Sequence, residues 1–376
     1  MSGRELLLDT FQGRPTERVP VAPFIFNNVI REKKNGVPED PIAACADYYR
    51  EFGFDLLLRN YIVADYLDER RISGPSWQVE VTTPEETGDA WEEITVITTP
   101  ERKMRQIKSF RRITKNTVVE ATGEYFIKSP EDFEQFRKYQ PSIGRIDTSQ
   151  IEHARAIVGQ DGLACTWVKG AFNIAEAYRG LEELLTDPYA DEAFYCELVS
   201  YFQDRLDTVL RQMIAAGSDV ICIEGNMANG SMAGPRLFEE FVMPYEDRVI
   251  DEIHRNGCLC MYHNCGDAKS LLPLYDRMKM DLYESLTPPP YGDTPLSEAL
   301  EVIKPPKVLS GNLDQIDFLV RATPEEVRIR VKEILELAKQ RGHFILATSD
   351  YFSEGTPEAN IAAFSEAAHE YGWYGK

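Results

Sequence analysis

The chain has 376 residues and a formal net charge of −21, from 62 acidic against 41 basic side chains. A charge of this sign argues against a nucleic-acid backbone or an anionic membrane surface as partner, and no apolar run approaches the roughly 20 residues of a membrane span. At 43% hydrophobic and 27% charged residues, the composition is that of a globular protein with room for one α/β barrel or two ordinary domains.

The first residues, Met1-Ser-Gly-Arg-Glu-Leu-Leu-Leu, lack the apolar h-region of a signal peptide, so a cytoplasmic protein is expected. Seven cysteines, an odd number, fall in apolar segments, which predicts a reducing compartment with mostly buried thiols. Nothing in the sequence excludes a homodimer.

Residues 2–12 read as a short amphipathic helix with Leu6, Leu7 and Phe11 on one face. Val19–Phe24 is a plausible first strand edged by prolines. Residues 41–52 look helical, and Asp55–Arg59 is a second strand. The stretch 76–127 differs: its segments alternate apolar and polar residues, with turn chemistry at Gly88-Asp89 and Lys115-Asn116. It reads as an antiparallel β-hairpin flap inserted into the main repeat.

From residue 150 onward strands and helices alternate. Gly162–Lys169, Val220–Glu224, Leu259–His263, Asp281–Glu284, Val308–Ser310 and Phe344–Ala347 are strands. Helices are expected over 188–216, 235–256 and 323–341, the third with Thr323 as N-cap, Pro324 at N1 and Glu326 at N3, and residues 357–371 close the chain. About eight strand–helix units in one undivided chain, 1–376, predict a (β/α)8 TIM barrel, with a doubly wound sheet as the alternative. No Gly-x-Gly-x-x-Gly stands at a strand–helix junction, so nucleotide binding has little support.

Barrel chemistry sits at the C-terminal strand ends. Those ends carry Asn27 and Asn28, Arg59 and Tyr61, Trp167 and Lys169, Glu224 and Asn226, His263 and Cys265, Glu284, Asn312, and Ser349 and Asp350. His263 and Cys265 are two residues apart at the end of an apolar run and so share a face. An imidazole and a thiol side by side supply half of a zinc site. Glu284 and Asp350 are the candidate oxygen ligands, giving a site rich enough in oxygen to admit another divalent metal. Asp and Asn are also ordinary turn and N-cap residues at such ends.

The second half of the chain resembles the uroporphyrinogen decarboxylase-like superfamily. The passages that carry the likeness are Gly217-Ser-Asp-Val-Ile-Cys-Ile-Glu-Gly, Pro235-Arg-Leu-Phe-Glu-Glu-Phe-Val-Met-Pro-Tyr, His263-Asn-Cys-Gly-Asp and Gly311-Asn-Leu-Asp. Within it, His-x-Cys-Gly resembles the zinc motif of corrinoid-dependent methyltransferases. The resemblance implies zinc held by His263 and Cys265, a thiol acceptor activated by the metal, and methyl transfer. The later Cys of that pattern is missing, and Asp350 aligns with it.

The resemblance thus implies metal-dependent methyl transfer between a small O-, N- or S-methylated substrate or thiol and a corrinoid on a partner protein. Metal ligands would be His263, Cys265, Glu284 and Asp350. Glu224, Asn226 and Asp350 would assist catalysis, and Asn27, Asn28, Tyr61, Trp167 and Asn312 would contact substrate. A uroporphyrinogen decarboxylase ranks second, because only Arg31 stands near the segment where such enzymes are Arg-rich. A non-catalytic barrel that binds corrinoid or a partner protein is the third reading.

Overall fold

A computed structural model describes residues 1–59, 72–83 and 88–375. Its centre is a curled parallel sheet of seven strands, in the order β1 (Leu56–Leu58), β6 (Gly162–Lys169), β7 (Val220–Glu224), β8 (Leu259–His263), β9 (Leu282–Leu286), β10 (Val308–Leu313) and β11 (Phe344–Thr348). The strand predicted over Val19–Phe24 is reduced to a bridge between Val21 and Leu346. Pro20 and Pro23 have no N–H to give to a ladder, which limits pairing there. The segment still bonds to both edge strands. Leu346 N–H donates to the Pro20 carbonyl, Ala22 N–H to the Leu346 carbonyl, and Asp55 N–H, just before β1, to the Val21 carbonyl.

Side chains alternate between faces along a strand. Leu57, Cys165, Cys222, Met261, Leu282, Val308 and Ile345 form one buried cluster with Ala22, Leu7 and Phe11. Two residues further along each chain segment, the same inward face carries Phe24, Arg59, Trp167, Glu224, His263 and Glu284. An apolar floor is thereby followed by a polar and aromatic layer at the C-terminal ends. The register fixes the neighbours: Glu224 pairs with His263, and His263 pairs with Glu284.

Two helices start on the capping boxes their sequences carry, whereas the helix expected over 188–216 begins only at Glu192, N-capped by Asp191, behind a separate helix Leu181–Ala190. Gly3–Phe11 starts on a capping box between Ser2 and Glu5, and Arg4 reaches Asp219 at 2.6 Å to hold this helix against the sheet. Pro324–Arg341 starts on the Thr323–Glu326 box and ends at Gly342, whose φ of 69° suits a glycine. The single helix expected over 235–256 is instead interrupted by a wide turn at Phe238–Val242 before resuming at Met243–Arg255. Pro244 cannot donate to a carbonyl one turn back, and the wider turn accommodates its ring.

The flap is a four-stranded antiparallel sheet, β2 (Gln78–Thr82), β3 (Ala90–Thr98), β4 (Lys103–Arg112) and β5 (Val118–Glu124), rather than one hairpin. It is anchored by the fully buried Trp77 against Phe136 and by Gln106, which donates to the Ala177 carbonyl at 2.9 Å. Its β4–β5 turn reaches the loop after β11. Glu354 accepts there from Asn116 at 2.9 Å, from Thr117 at 3.3 Å and from Thr114. Among the described residues, no helix is long and apolar enough to cross a membrane.

Candidate metal centre

The ligand atoms of His263, Cys265 and Asp350 all lie within 4.8 Å of one another. His263 is buried at the end of β8, while Cys265 and Asp350 are half-buried. Asp350 is brought to the pair by the loop after β11, which is stitched to β9. The Ser349 hydroxyl donates to the Leu286 carbonyl at 3.0 Å, and the Ser285 hydroxyl donates to the Ser349 carbonyl. Asp350 also accepts from the Tyr351 amide at 2.7 Å. One nitrogen, one sulfur and one carboxylate oxygen converging on a point suit zinc, with a fourth position left for substrate or water.

Glu284 stands one step behind this trio. Its Oε1 is 2.9 Å from His263 Nδ1, and its Oε2 is ion-paired with Arg59. With Nδ1 committed to Glu284, Nε2 is the nitrogen left to bind a metal, the usual carboxylate–histidine–metal arrangement. All three groups are buried. Burial alone would raise the Glu284 carboxyl, but the Arg59 charge and the His263 hydrogen bond outweigh it and hold it down at about 2. Burial works against a charged His263, yet its contacts with Cys265 and Glu284 hold the imidazole well above its ordinary range. For Asp350 burial dominates and raises the carboxyl, against the opposing pull of His263.

The other predicted residues divide into two groups. Trp167 packs on His263, with ring centroids 5.0 Å apart, and Glu224 sits in register beside His263 on the inward face. Asn226 accepts from Asn173 Nδ2 at 2.7 Å, on the helix after β6. Asn28 and Asn312 spend their amides on backbone: Asn28 on the Phe352 carbonyl, Asn312 on those of Leu286 and Thr294. Those two hold loops in place. Asn27 opens the helix Asn27–Lys34 behind the aromatic segment. Tyr61 lies outside the described residues.

Sequence reasoning did not single out a set of rings beside His263. Phe24 stacks on Trp167 with centroids 5.2 Å apart and planes 19° from parallel. Tyr351 meets Phe24 edge-on at 5.8 Å and Phe26 at 5.5 Å. The Arg59 guanidinium lies 4.4 Å from the Phe24 centroid. Inward alternation from Ala22 to Phe24 was the available signal for the first of these.

The sequence pattern described as uroporphyrinogen decarboxylase (URO-D) matches residues 118–371. The chain belongs to the uroporphyrinogen decarboxylase family. Among curated relatives, a methylated-thiol–coenzyme M methyltransferase of Methanosarcina mazei is 27% identical over 203 residues, 53% of this chain and 51% of that protein. The match thus spans about half of that relative's length. A methylcobamide:CoM methyltransferase of the same organism is 23% identical over 66% of this chain and 70% of its own. A uroporphyrinogen decarboxylase of Prochlorococcus marinus is 22% identical over 72% of this chain and 69% of its own. In fold, the chain is similar to a solved methyltransferase from Methanosarcina mazei with a TM-score of 0.70, at 16% identity and 98% and 99% coverage of the two chains. A B12-independent methionine synthase from Shewanella is also similar, at a TM-score of 0.53, 14% identity and coverage of 95% and 94%.

Proposed function

We propose that this family member is a metal-dependent methyltransferase, moving a methyl group between a small O-, N- or S-methylated compound, or a thiol, and a corrinoid carried by a partner protein. The observation that carries this reading is the convergence of His263, Cys265 and Asp350 in a family whose members include proteins named as methylated-thiol and methylcobamide methyltransferases. Zinc, or another divalent ion, bound by the trio would supply Lewis acidity to the heteroatom that releases or accepts the methyl group.

The remaining work belongs to the chain. Arg59 and Glu284 hold the imidazole in one orientation, so His263 presents Nε2 without rearrangement. The floor of Met261, Cys222 and Leu282 excludes water beneath the site. Glu224, beside His263, is placed to orient a polar substituent or to exchange a proton with it. Asp350 in place of a second thiolate leaves the site harder and less electron-rich, which favours oxygen and nitrogen heteroatoms over sulfur.

The test is elemental analysis of the purified protein together with methyl transfer to a Co(I) corrinoid, followed by the visible spectrum of the corrinoid. About one zinc per chain, lost in His263→Ala along with transfer, is the expected result. The matches to uroporphyrinogen decarboxylases favour a second reading. Conversion of uroporphyrinogen by metal-free protein would establish it and displace the first.

A further inference from the structure

The flap leaves the outer edge of β5 open, and the residues along that edge fit a second copy of it. We propose that β5 pairs antiparallel with β5 of a second copy of this chain, with Val119 on the twofold axis, so that two four-stranded flaps join into one eight-stranded sheet.

β5 is the last strand in the order β2-β3-β4-β5. The hydrogen-bond alternation of an antiparallel ladder shows which of its groups are unused. Arg112 N–H donates to the Asp89 carbonyl beside β3, and Ile113 N–H donates to the Thr117 carbonyl on the other side. Ser109 and Arg111 therefore bond towards β5, and their partners Ala121 and Val119 bond back towards β4. The N–H and C=O groups of Val118, Glu120 and Thr122 point off the sheet, and among the described residues nothing meets them. Natural edges are usually guarded by Lys, Pro or a bulge. The strand Val118–Glu124 has neither Lys nor Pro, and its bulge comes only at Gly123, where the register slips between Thr122 and Glu124. The edge is also apolar where it is open: Ile113, Val118 and Val119 are 57%, 39% and 43% exposed. A bare edge of this kind takes up another strand.

Charge and register select a second copy of β5 as that strand. The chain carries −21 overall, which drives copies apart. Residues 101–128 run the other way, with eight basic against three acidic side chains, so this edge is where an acidic second copy is attracted. A twofold contact applies the same strand to itself, so its own side chains decide the register. An axis at Glu120 would set two carboxylates directly opposite each other, which is unfavourable. An axis at Ala121 would bring the bulge at Gly123 into the ladder, opposite Val119. An axis at Val119 avoids both. Val118 and Glu120 of each copy then exchange hydrogen bonds through the groups that point outward, and the two Val119 side chains meet at the centre. Each Glu120 faces Val118 of the other copy, with Arg112 one strand behind it, instead of facing its twin. Val119 and Ala121 share one face, with Ile113 beside them across the turn, so the exposed apolar groups come to lie along the seam. Pairing would also brace the β4–β5 turn, whose Thr114, Asn116 and Thr117 hold Glu354.

The experiment measures the mass of the full chain by sedimentation from low to high micromolar concentration, for the native protein and for Val119→Lys. The native chain should reach twice its own mass, and Val119→Lys, which sets two ammonium groups opposite each other at the axis, should stay monomeric. Val119 is exposed, so the substitution leaves the fold intact. Register is read by mild oxidation of Val119→Cys and Glu120→Cys, with the native chain, whose thiols are buried or half-buried, as the blank. At the axis the two Cα atoms of residue 119 are about 4.5 Å apart, inside the disulfide range of roughly 4.4–6.8 Å. Val119→Cys should therefore cross-link readily and Glu120→Cys, displaced by two residues, far more slowly. Amide exchange of Val118, Glu120 and Thr122 in the native chain gives a reading that needs no variant, and it should slow at least tenfold as the concentration rises through the dimer transition. A native chain that stays monomeric, with those amides exchanging freely, leaves the edge to a strand of some other protein and overturns the inference. So does a dimer that survives Val119→Lys, since its interface then lies elsewhere. Faster cross-linking of Glu120→Cys than of Val119→Cys overturns the register.

Discussion

Arg59 and Glu284, 225 residues apart in sequence, meet as an ion pair sealed inside the sheet, and the free oxygen of Glu284 holds His263. The pair acts on the candidate ligand without being part of the trio. Removing one member of a buried pair strands the other charge and typically costs about 3–5 kcal/mol. Loss of a group that orients a metal-binding histidine costs about 10–100-fold in metal affinity. Arg59→Met is therefore expected to lower stability by several kcal/mol in urea denaturation and to weaken zinc at least tenfold in chelator competition. Arg59→Lys, which keeps the charge, should recover part of both. A zinc affinity untouched by Arg59→Met would show that His263 needs no such support.

Asp350 is the residue that decides how soft the site is. Asp350→Cys would present zinc with two thiolates and one imidazole, a set with stronger preference for soft ions. The variant should bind zinc and cadmium more tightly and manganese more weakly than the native chain, read by competition with a chromogenic chelator. Asp350→Ala should weaken all of them. An unchanged order of metals in Asp350→Cys would mean that this carboxylate does not reach the ion.

Much of this site was legible in the sequence because it depends on short-range rules. Strand alternation placed His263 and Cys265 together, and barrel topology placed Glu284 at the next strand end and Asp350 across the mouth. What Glu284 does was not legible. Its carboxylate is directed by Arg59, and which residues meet across a curled sheet depends on strand order and tilt, not on spacing along the chain. The aromatic group was hidden for the same reason, since Phe24 and Phe26 come from one end of the chain and Tyr351 from the other. The first strand was misjudged locally: its apolar pattern is strand-like, but Pro20 and Pro23 remove donors that a ladder would need.

Glu354 ties the flap to the loop that carries Asp350. Asn116, Thr114 and Thr117 all donate to its carboxylate, and Glu32 accepts from the neighbouring Gly355 amide at 3.0 Å. These contacts are near the surface, so Glu354→Ala should change global stability by no more than about 1 kcal/mol. Local opening should respond far more. Amide hydrogen exchange in residues 113–118 and 350–356 is expected to accelerate about tenfold, with zinc affinity falling severalfold as Asp350 loses its fixed position. Exchange that rises in the flap turn alone would separate the flap from the candidate site.

Glu246 offers a pH-dependent test away from the candidate ligands. It lies on the helix Met243–Arg255, fully buried, and neither carboxyl oxygen has a hydrogen-bond partner among the described residues. It faces Gly170, where a Cβ would come within 2.4 Å of its oxygen, so a side chain at Gly170 would force the Glu246 carboxyl to shift. Burial raises the carboxyl from 4.5 to about 8, and the nearby amides of Ala171 and Phe172 offset this only in part without being aligned for hydrogen bonds. The sign follows from proton counting. Below about pH 4.5 the group is protonated in both folded and unfolded chains and contributes no pH dependence. Between 4.5 and 8 the unfolded chain ionises while the folded chain keeps its proton, so stability falls as pH rises, by about 1.4 kcal/mol per unit at most. Glu246→Gln, neutral at every pH, removes that slope. The variant should match the native chain near pH 4, exceed it by a few kcal/mol at pH 7.5, and gain little more above pH 8. The check is urea denaturation at each pH: parallel stability profiles for the two proteins would mean that Glu246 is ionised in the fold and stabilised by a partner.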